Sequence, residues 1–324
     1  MFTGPLFVVG APRSGTKLLR DLIRQHPRIG IPTYETEFLP RLSLTWSQFG
    51  DLSDRVAFER FYAWATRYLY FKYNTRDGTL ISADAWYAGC RSFDIQGVFE
   101  ALCRHDGEVP DDGIWGDKSP NYRNHVPELA ALWPDARFVH IIRDIRDVAL
   151  SSRKAWGKSV LRNAQRWVDE VSACRAAGRS LSPPARYHEL RYEDLLQDPE
   201  AAMRQIAAFV GVDFVPEMTR PGRVSENLGD TRGQDRIVPG NTEKWRERMP
   251  ADQLRHVEAI CGPLLAELGY PLAHPLQPLA RLGPARMVIH RAADGYNLLR
   301  FRVREWGWRE AVRYSLSAWE STRA

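Results

Sequence analysis

Near the start of the chain, Phe7-Val8-Val9-Gly10 runs into Ala11-Pro12-Arg13-Ser14-Gly15-Thr16 and then into a helical pattern. A strand, a glycine-bearing turn and a helix start leave backbone N–H groups free at a helix N-terminus, whose partial positive charge attracts a phosphate or sulfate. Gly10 and Gly15 permit a tight turn and a close backbone approach, Ser14 and Thr16 bring hydroxyl donors, and Arg13 and Lys17 bring full charges. The two glycines have the spacing of a GxxxxGK[ST] nucleotide loop, but Thr16-Lys17 reverses the final pair and displaces the hydroxyl that would bind magnesium. A later run, Phe138-Val139-His140-Ile141-Ile142, ends in Arg143 and not in an aspartate for that metal. Transfer of an anion without a metal is the chemistry that fits.

A second anion site is readable around Arg143. Asp144 is placed to cap a following helix, which leaves Arg143 at the carboxyl end of a strand, where open α/β sheets bind ligands. An arginine fork suits a phosphate dianion, and Ser151, eight residues on, can add a hydrogen bond. Arg146 reads as a helix-surface partner of Asp144 and Asp147. Glu35 and Glu37, in Ile31-Pro32-Thr33-Tyr34-Glu35-Thr36-Glu37, are equal candidates for a base on residue type, and either also suits a salt bridge to Arg41. Lys118 is either a cation for the site or a surface partner of Asp117. His26, His125 and His140 read as capping or core residues, His140 most clearly because it lies within a strand.

These stretches together resemble the PAPS-dependent sulfotransferases, which take a sulfuryl group from 3′-phosphoadenosine 5′-phosphosulfate, and within them the branch with tyrosylprotein sulfotransferases and bacterial relatives. The resemblance spans about residues 5 to 250 in separated motifs. It implies a P-loop-like sulfotransferase fold, PAPS as donor, PAP as product and no required metal. Arg13, Ser14, Gly15, Thr16 and Lys17 match the 5′-phosphosulfate loop, with Lys17 where a second threonine is usual. Arg143 and Ser151 match the 3′-phosphate motif, Tyr192 in Leu190-Arg191-Tyr192-Glu193-Asp194 the tyrosine near the adenine, and Lys244 a late lysine that reaches the nucleotide. Thr231 and Arg232 fall in a stretch resembling the loop that closes over the donor. The resemblance also distinguishes the two glutamates: Glu35 falls on the family's catalytic base and Glu37 on an arginine. Lys118 falls on the lysine that, with Arg13, stabilises the transition state.

These motifs need an α/β scaffold. Apolar, β-branched runs at Leu6 to Val9, Phe138 to Ile142 and Ala185 to Leu190 alternate with helical spacing, which predicts βαβ units and a parallel sheet flanked by helices, and Ile114 to Lys118 reads as a further short strand. Leu18, Leu19, Leu22 and Ile23 share a helix face that His26-Pro27 ends. Further helices are expected at 126 to 133, 159 to 177, 199 to 210 and 251 to 268. Residues 42 to 105, rich in aromatics, read as a helical insertion in a domain spanning 1 to 270. They could line an acceptor pocket, although Trp64, Tyr68 and Phe71 have core spacing. Residues 271 to 284 read as a Pro-rich linker, and 285 to 324 as a basic helical extension packed on the body through Leu298, Leu299, Phe301, Val303 and Trp306.

Composition excludes disorder and fibrous classes: of 324 residues 44% are hydrophobic and 26% charged. The net charge of +5 lies wholly in residues 281 to 324, where nine arginines face four acidic residues. Interleaved with Trp306, Trp308 and Tyr314, they leave open a peripheral membrane contact; no nucleic acid partner is expected, and an oligomer is not excluded. Four scattered cysteines without a CxxC pair fit a reducing compartment, and neither a signal peptide nor a membrane span is legible, so the expected location is cytoplasmic. The expected acceptor is a small-molecule or lipid-like hydroxyl or phenol, ahead of a protein tyrosine. The rival readings are a P-loop kinase or nucleotidase and a noncatalytic anion- or membrane-binding module.

Overall fold

The computed structural model describes residues 2–225, 230–277 and 280–312. Five parallel strands, β1 (Leu6–Val9), β2 (Ile29–Gly30), β3 (Ile114–Lys118), β4 (Arg137–Ile142) and β5 (Tyr187–Arg191), form one sheet in the order β2-β3-β1-β4-β5. In this register Phe7 pairs with Asp117 on one side and Phe138 on the other. Every residue of β1 is buried, as expected when helices cover both faces of a parallel sheet.

Strand alternation sorts the core into two faces. Phe7, Val9 and Phe138 point into an aromatic cluster, and Leu6, Val8, Val139 and Ile141 into an aliphatic one. The aromatic side is built by α2 (Leu39–Thr45), α3 (Arg55–Ala65), α4 (Leu69–Arg76), α5 (Ala83–Gly89), α6 (Ile95–Asp106) and α7 (Val126–Leu132). The aliphatic side takes α1 (Thr16–Ile23), α10 (Tyr192–Gln197) and α11 (Pro199–Val210). A third cluster joins α8 (Ile145–Trp156), α9 (Val160–Arg179), α12 (Trp245–Arg248) and α13 (Ala251–Glu267).

The structure adds one strand to the sequence expectation and moves the start of another. The two-residue β2 is too short to show a period, and β5 begins at Tyr187 because Pro184–Arg186 forms a 3-10 turn. The final helix, α14 (Pro284–Trp306), lies against α8 and α9, but its apolar residues Leu298, Leu299, Phe301, Val303 and Trp306 are only half-buried. Asp294 is its buried residue. Tyr314 and Arg313 lie outside the described residues, as do positions 278–279 of the Pro-rich stretch. Among the described residues no helix is long and apolar enough to cross a membrane.

Candidate active site

In the turn after β1 Arg13 takes a positive φ of 75°, which costs a non-glycine residue, and Gly15 one of 95°, which glycine adopts freely. Gly10 does not serve the turn. A Cβ there would lie 2.5 Å from the Ile141 carbonyl oxygen, so Gly10 is needed where β4 packs closest. Helix α1 begins at Thr16 without a side-chain cap, which leaves its first N–H groups for an anion.

This loop opens onto a cavity of about 770 Å³ at the carboxyl ends of the strands. Arg143, delivered by β4, donates to the Arg13 carbonyl at 3.2 Å and the Asn241 carbonyl at 2.7 Å, while its Nε is buried without a partner. Its guanidinium stacks on Tyr192, 4.3 Å from the ring centre. Arg13 Nε donates to the Ser151 hydroxyl at 3.0 Å, which ties the first loop to α8. Burial and then the neighbouring Arg143 lower the pKa of Arg13, a penalty on positive charge that a bound anion would relieve. Lys244 and Asn241 close the rim: the Asn241 amide donates to the Tyr192 hydroxyl at 2.7 Å, and Asp230 collects Lys154, Lys244 and Arg248 at 2.5, 2.5 and 2.9 Å.

Glu35 lies on the cavity wall and accepts a hydrogen bond from Lys118 Nζ at 2.5 Å. Burial favours the neutral carboxyl, yet Lys118, Lys17 and Arg20 outweigh it and hold Glu35 below its ordinary range. Burial pushes Lys118 down to about 8 despite Glu35, and Arg20 and Lys17 add to the fall. Glu35 is thus lowered chiefly by its Lys118 partner, and Lys118 chiefly by burial. Glu37, two residues on with φ 51°, faces the cavity with no hydrogen-bond or ion-pair partner on its carboxylate among the described residues. Although Glu37 is exposed to solvent, the protein around it and then the Glu35 charge raise its pKa to about 7. Between them Thr36 is locked into a buried network, bonding Asp117 and Tyr122 at 2.7 Å each.

Residues 5–216 match the family model described as the Sulfotransferase family. The chain belongs to the sulfotransferase family. It is 27% identical to protein-tyrosine sulfotransferase 2 of Gallus gallus over 83% of this chain and 70% of that protein. It is 30% identical to carbohydrate sulfotransferase 5 of Mus musculus, over 43% of this chain and 42% of that one. The sulfotransferase domain of the Synechococcus PCC 7002 olefin synthase shares the fold, with a TM-score of 0.57 at 22% identity over 84% of this chain and 96% of the other.

In this sulfotransferase the cavity gathers most of the residues singled out in the sequence. Arg13, Gly15, Thr16 and Lys17 line it from the first loop, Arg143 and Ser151 from the β4–α8 unit, and Tyr192, Thr231 and Lys244 from later segments. Three are elsewhere. Ser14 is buried beneath the loop with its hydroxyl unpartnered, Lys118 is fully buried behind Glu35, and Arg232 is exposed off the wall. Lys118 does not pair with Asp117, because adjacent strand residues point to opposite faces. Arg146 is not a surface residue: it is buried, bound to Asp144 and Glu258, and stacked 3.6 Å from the Trp245 ring centre. His140 is core, pushed down to about 3 by burial. None of residues 42 to 105 reaches the cavity; Phe71 is buried in the aromatic core, and Trp64 and Tyr68 pack against it.

Arg20 and Asn241 were not singled out. Arg20 follows Lys17 by three on α1, so helical spacing alone places both on one face. Asn241 lies in Gly240-Asn241-Thr242-Glu243-Lys244, and nothing local distinguishes it.

Proposed function

We infer that this sulfotransferase moves the sulfuryl group of PAPS to an acceptor hydroxyl or phenol by in-line displacement. The observation that carries the reading is the hydrogen bond from Arg13 to Ser151: it joins an anion loop at a helix start to the Arg143 position within one cavity, as a nucleotide with phosphates at both ends requires. Arg13, Gly15, Thr16 and Lys17 would hold the 5′-phosphosulfate, Arg143 and Ser151 the 3′-phosphate, and Tyr192 and Lys244 the nucleoside side. Thr231 would cover the donor; Ser14 would contribute through the shape of the loop. A bond forms between the acceptor oxygen and sulfur as the bond from sulfur to the phosphate oxygen breaks. The hydroxyl proton passes to Glu35, and PAP leaves with the charge on its phosphate.

The ion pair gives this step a coupling. Once Glu35 takes the proton it no longer neutralises Lys118, whose charge then becomes available to the departing phosphate oxygen. A second reading makes Glu37 the base, favoured by its unpaired carboxylate and its pKa near 7. Transfer of radiolabelled sulfate from PAPS into a cell extract, with the product identified by mass, tests the activity. Micromolar PAP raising the melting temperature supports the donor assignment, and an unchanged melt at saturating PAP refutes it. Loss of turnover in Glu35→Gln with PAP binding intact supports Glu35; loss confined to Glu37→Gln transfers the role.

A further inference from the structure

Beyond Ser151 the cavity wall continues through Trp156, Lys158, Arg123 and Arg166, and neither anion site of the donor uses them. The Trp156 indole is faced by Arg13 at 5.5 Å and by Lys158 at 4.6 Å, so Lys158 stands beside the loop that would hold the sulfuryl group. The charges around it do not balance. Arg123 and Arg166 share the Glu170 carboxylate at 2.5 Å each, and Arg162 takes Asp294 at 2.7 Å. Lys158 has no hydrogen bond and no ion pair among the described residues, which leaves four cations against two carboxylates. Burial and then Arg166 lower its pKa to about 8, with Asp294 opposing the fall and Arg162 and Arg123 adding to it.

The backbone on either side of Lys158 is pinned, and the pins come from α14. Asn297 donates to the Gly157 carbonyl at 2.8 Å, Asp294 accepts from the Ser159 N–H at 2.7 Å, and His290 bonds the Ser159 hydroxyl at 3.1 Å. Asp294 is the buried residue of a helix whose apolar side is only half-covered, so this helix docks chiefly where it holds the Lys158 loop. A fixed, unpaired cation on the wall beside the sulfuryl loop, with an indole next to it, is a recognition surface for a negatively charged group on an otherwise apolar molecule.

We propose that Lys158 binds an anionic group, such as a carboxylate, carried by the acceptor, and that Asp294 of the C-terminal helix is the positioning residue that presents it. This rests on the PAPS reading of the cavity. The test titrates three probes of one scaffold, 3-(4-hydroxyphenyl)propionate, 4-ethylphenol and tyramine, into the PAP-saturated full chain by calorimetry. The wild type is expected to bind the propionate at least tenfold more tightly than the other two. Lys158→Gln should abolish that preference and Lys158→Arg restore most of it, with PAP affinity unchanged in both. Asp294→Ala, which removes the acceptor of the Ser159 N–H, should weaken the propionate and leave 4-ethylphenol within about twofold; a merely structural role would weaken both. Equal binding of the three probes, a preference for tyramine, binding of none, or loss of PAP affinity in Lys158→Gln overturns the proposal. Failure of the wild type to bind PAP at all overturns the donor reading instead.

Discussion

Tyr192 packs so closely on Gly15 that a Cβ added there would lie 2.4 Å from the ring Cδ2. The ring that Arg143 stacks on is therefore seated directly against the anion loop, and the left-handed φ of Gly15 adds a second demand for glycine. Gly15→Ala must displace Tyr192 and strain the turn, each worth about 1–3 kcal/mol. We expect a urea midpoint shifted by at least about 2 kcal/mol in stability, together with weakened PAP binding in calorimetry. A wild-type midpoint with full PAP affinity would show that Tyr192 moves freely.

Arg143 offers an unpartnered Nε besides two N–H groups already committed to carbonyls. If this donor meets the 3′-phosphate, the wild type discriminates PAP from AMP, which lacks that phosphate. Charged hydrogen bonds are worth about 1.5–3 kcal/mol, or roughly 10- to 150-fold in affinity. Arg143→Lys keeps the charge but loses the fork and should erase most of that discrimination while leaving AMP binding nearly constant. Equal losses for both nucleotides would place the 3′-phosphate elsewhere.

The buried ammonium of Lys118, lowered to about 8, predicts opposite pH trends for activity and stability. A lysine whose folded pKa lies below its unfolded value of about 10.4 loses its proton first in the folded state. Its burial cost is fully present below pH 8 and is relieved as pH rises towards the unfolded value. Wild-type stability measured against Lys118→Met should therefore rise above pH 8, while kcat/KM falls over the same range as the charge beside Glu35 is lost. Lys118→Arg should shift the kinetic fall to higher pH. A flat kcat/KM between pH 7 and 9.5 would remove Lys118 from the chemistry.

The parts of the fold legible in the sequence are those with a local period. β1 and β4 are recognisable because strands buried on both faces are near-continuous apolar runs, and α8 because Asp144 caps it by accepting from the Arg146 N–H. The anion loop is legible because glycines, hydroxyls and cations are adjacent in sequence. What depends on distant partners is not. Arg146 looks like a surface residue beside Asp144 and Asp147 until Glu258, 112 positions on, and Trp245 enclose it. Lys118 has Asp117 next to it in sequence but Glu35 next to it in space. Lys158 is one lysine in a short loop, and only α14, more than 120 residues later, gives it a fixed position.

Arg146 is the buried charge whose removal should cost the fold most. Its guanidinium donates to Asp144 at 2.6 Å and to Glu258 at 2.7 Å, and stacks on the ring of Trp245, whose backbone N–H donates to Asp147 at 3.0 Å. Removing one member of such a network strands the others in a medium that solvates charge poorly, at about 3–5 kcal/mol. Arg146→Met fills similar volume yet leaves two carboxylates without their cation, so a melting temperature lowered by several degrees is expected. Because Trp245 follows Lys244, the loss should extend to the cavity rim and weaken PAP binding as well. Adding Glu258→Gln removes one stranded charge and keeps one of the two oxygens with which this carboxylate accepts from the Ala273 and His274 N–H groups. The double variant should then be more stable than Arg146→Met alone. If it is less stable, the carboxylates are solvated without Arg146, and the arginine matters through its packing on Trp245 and not through its charge.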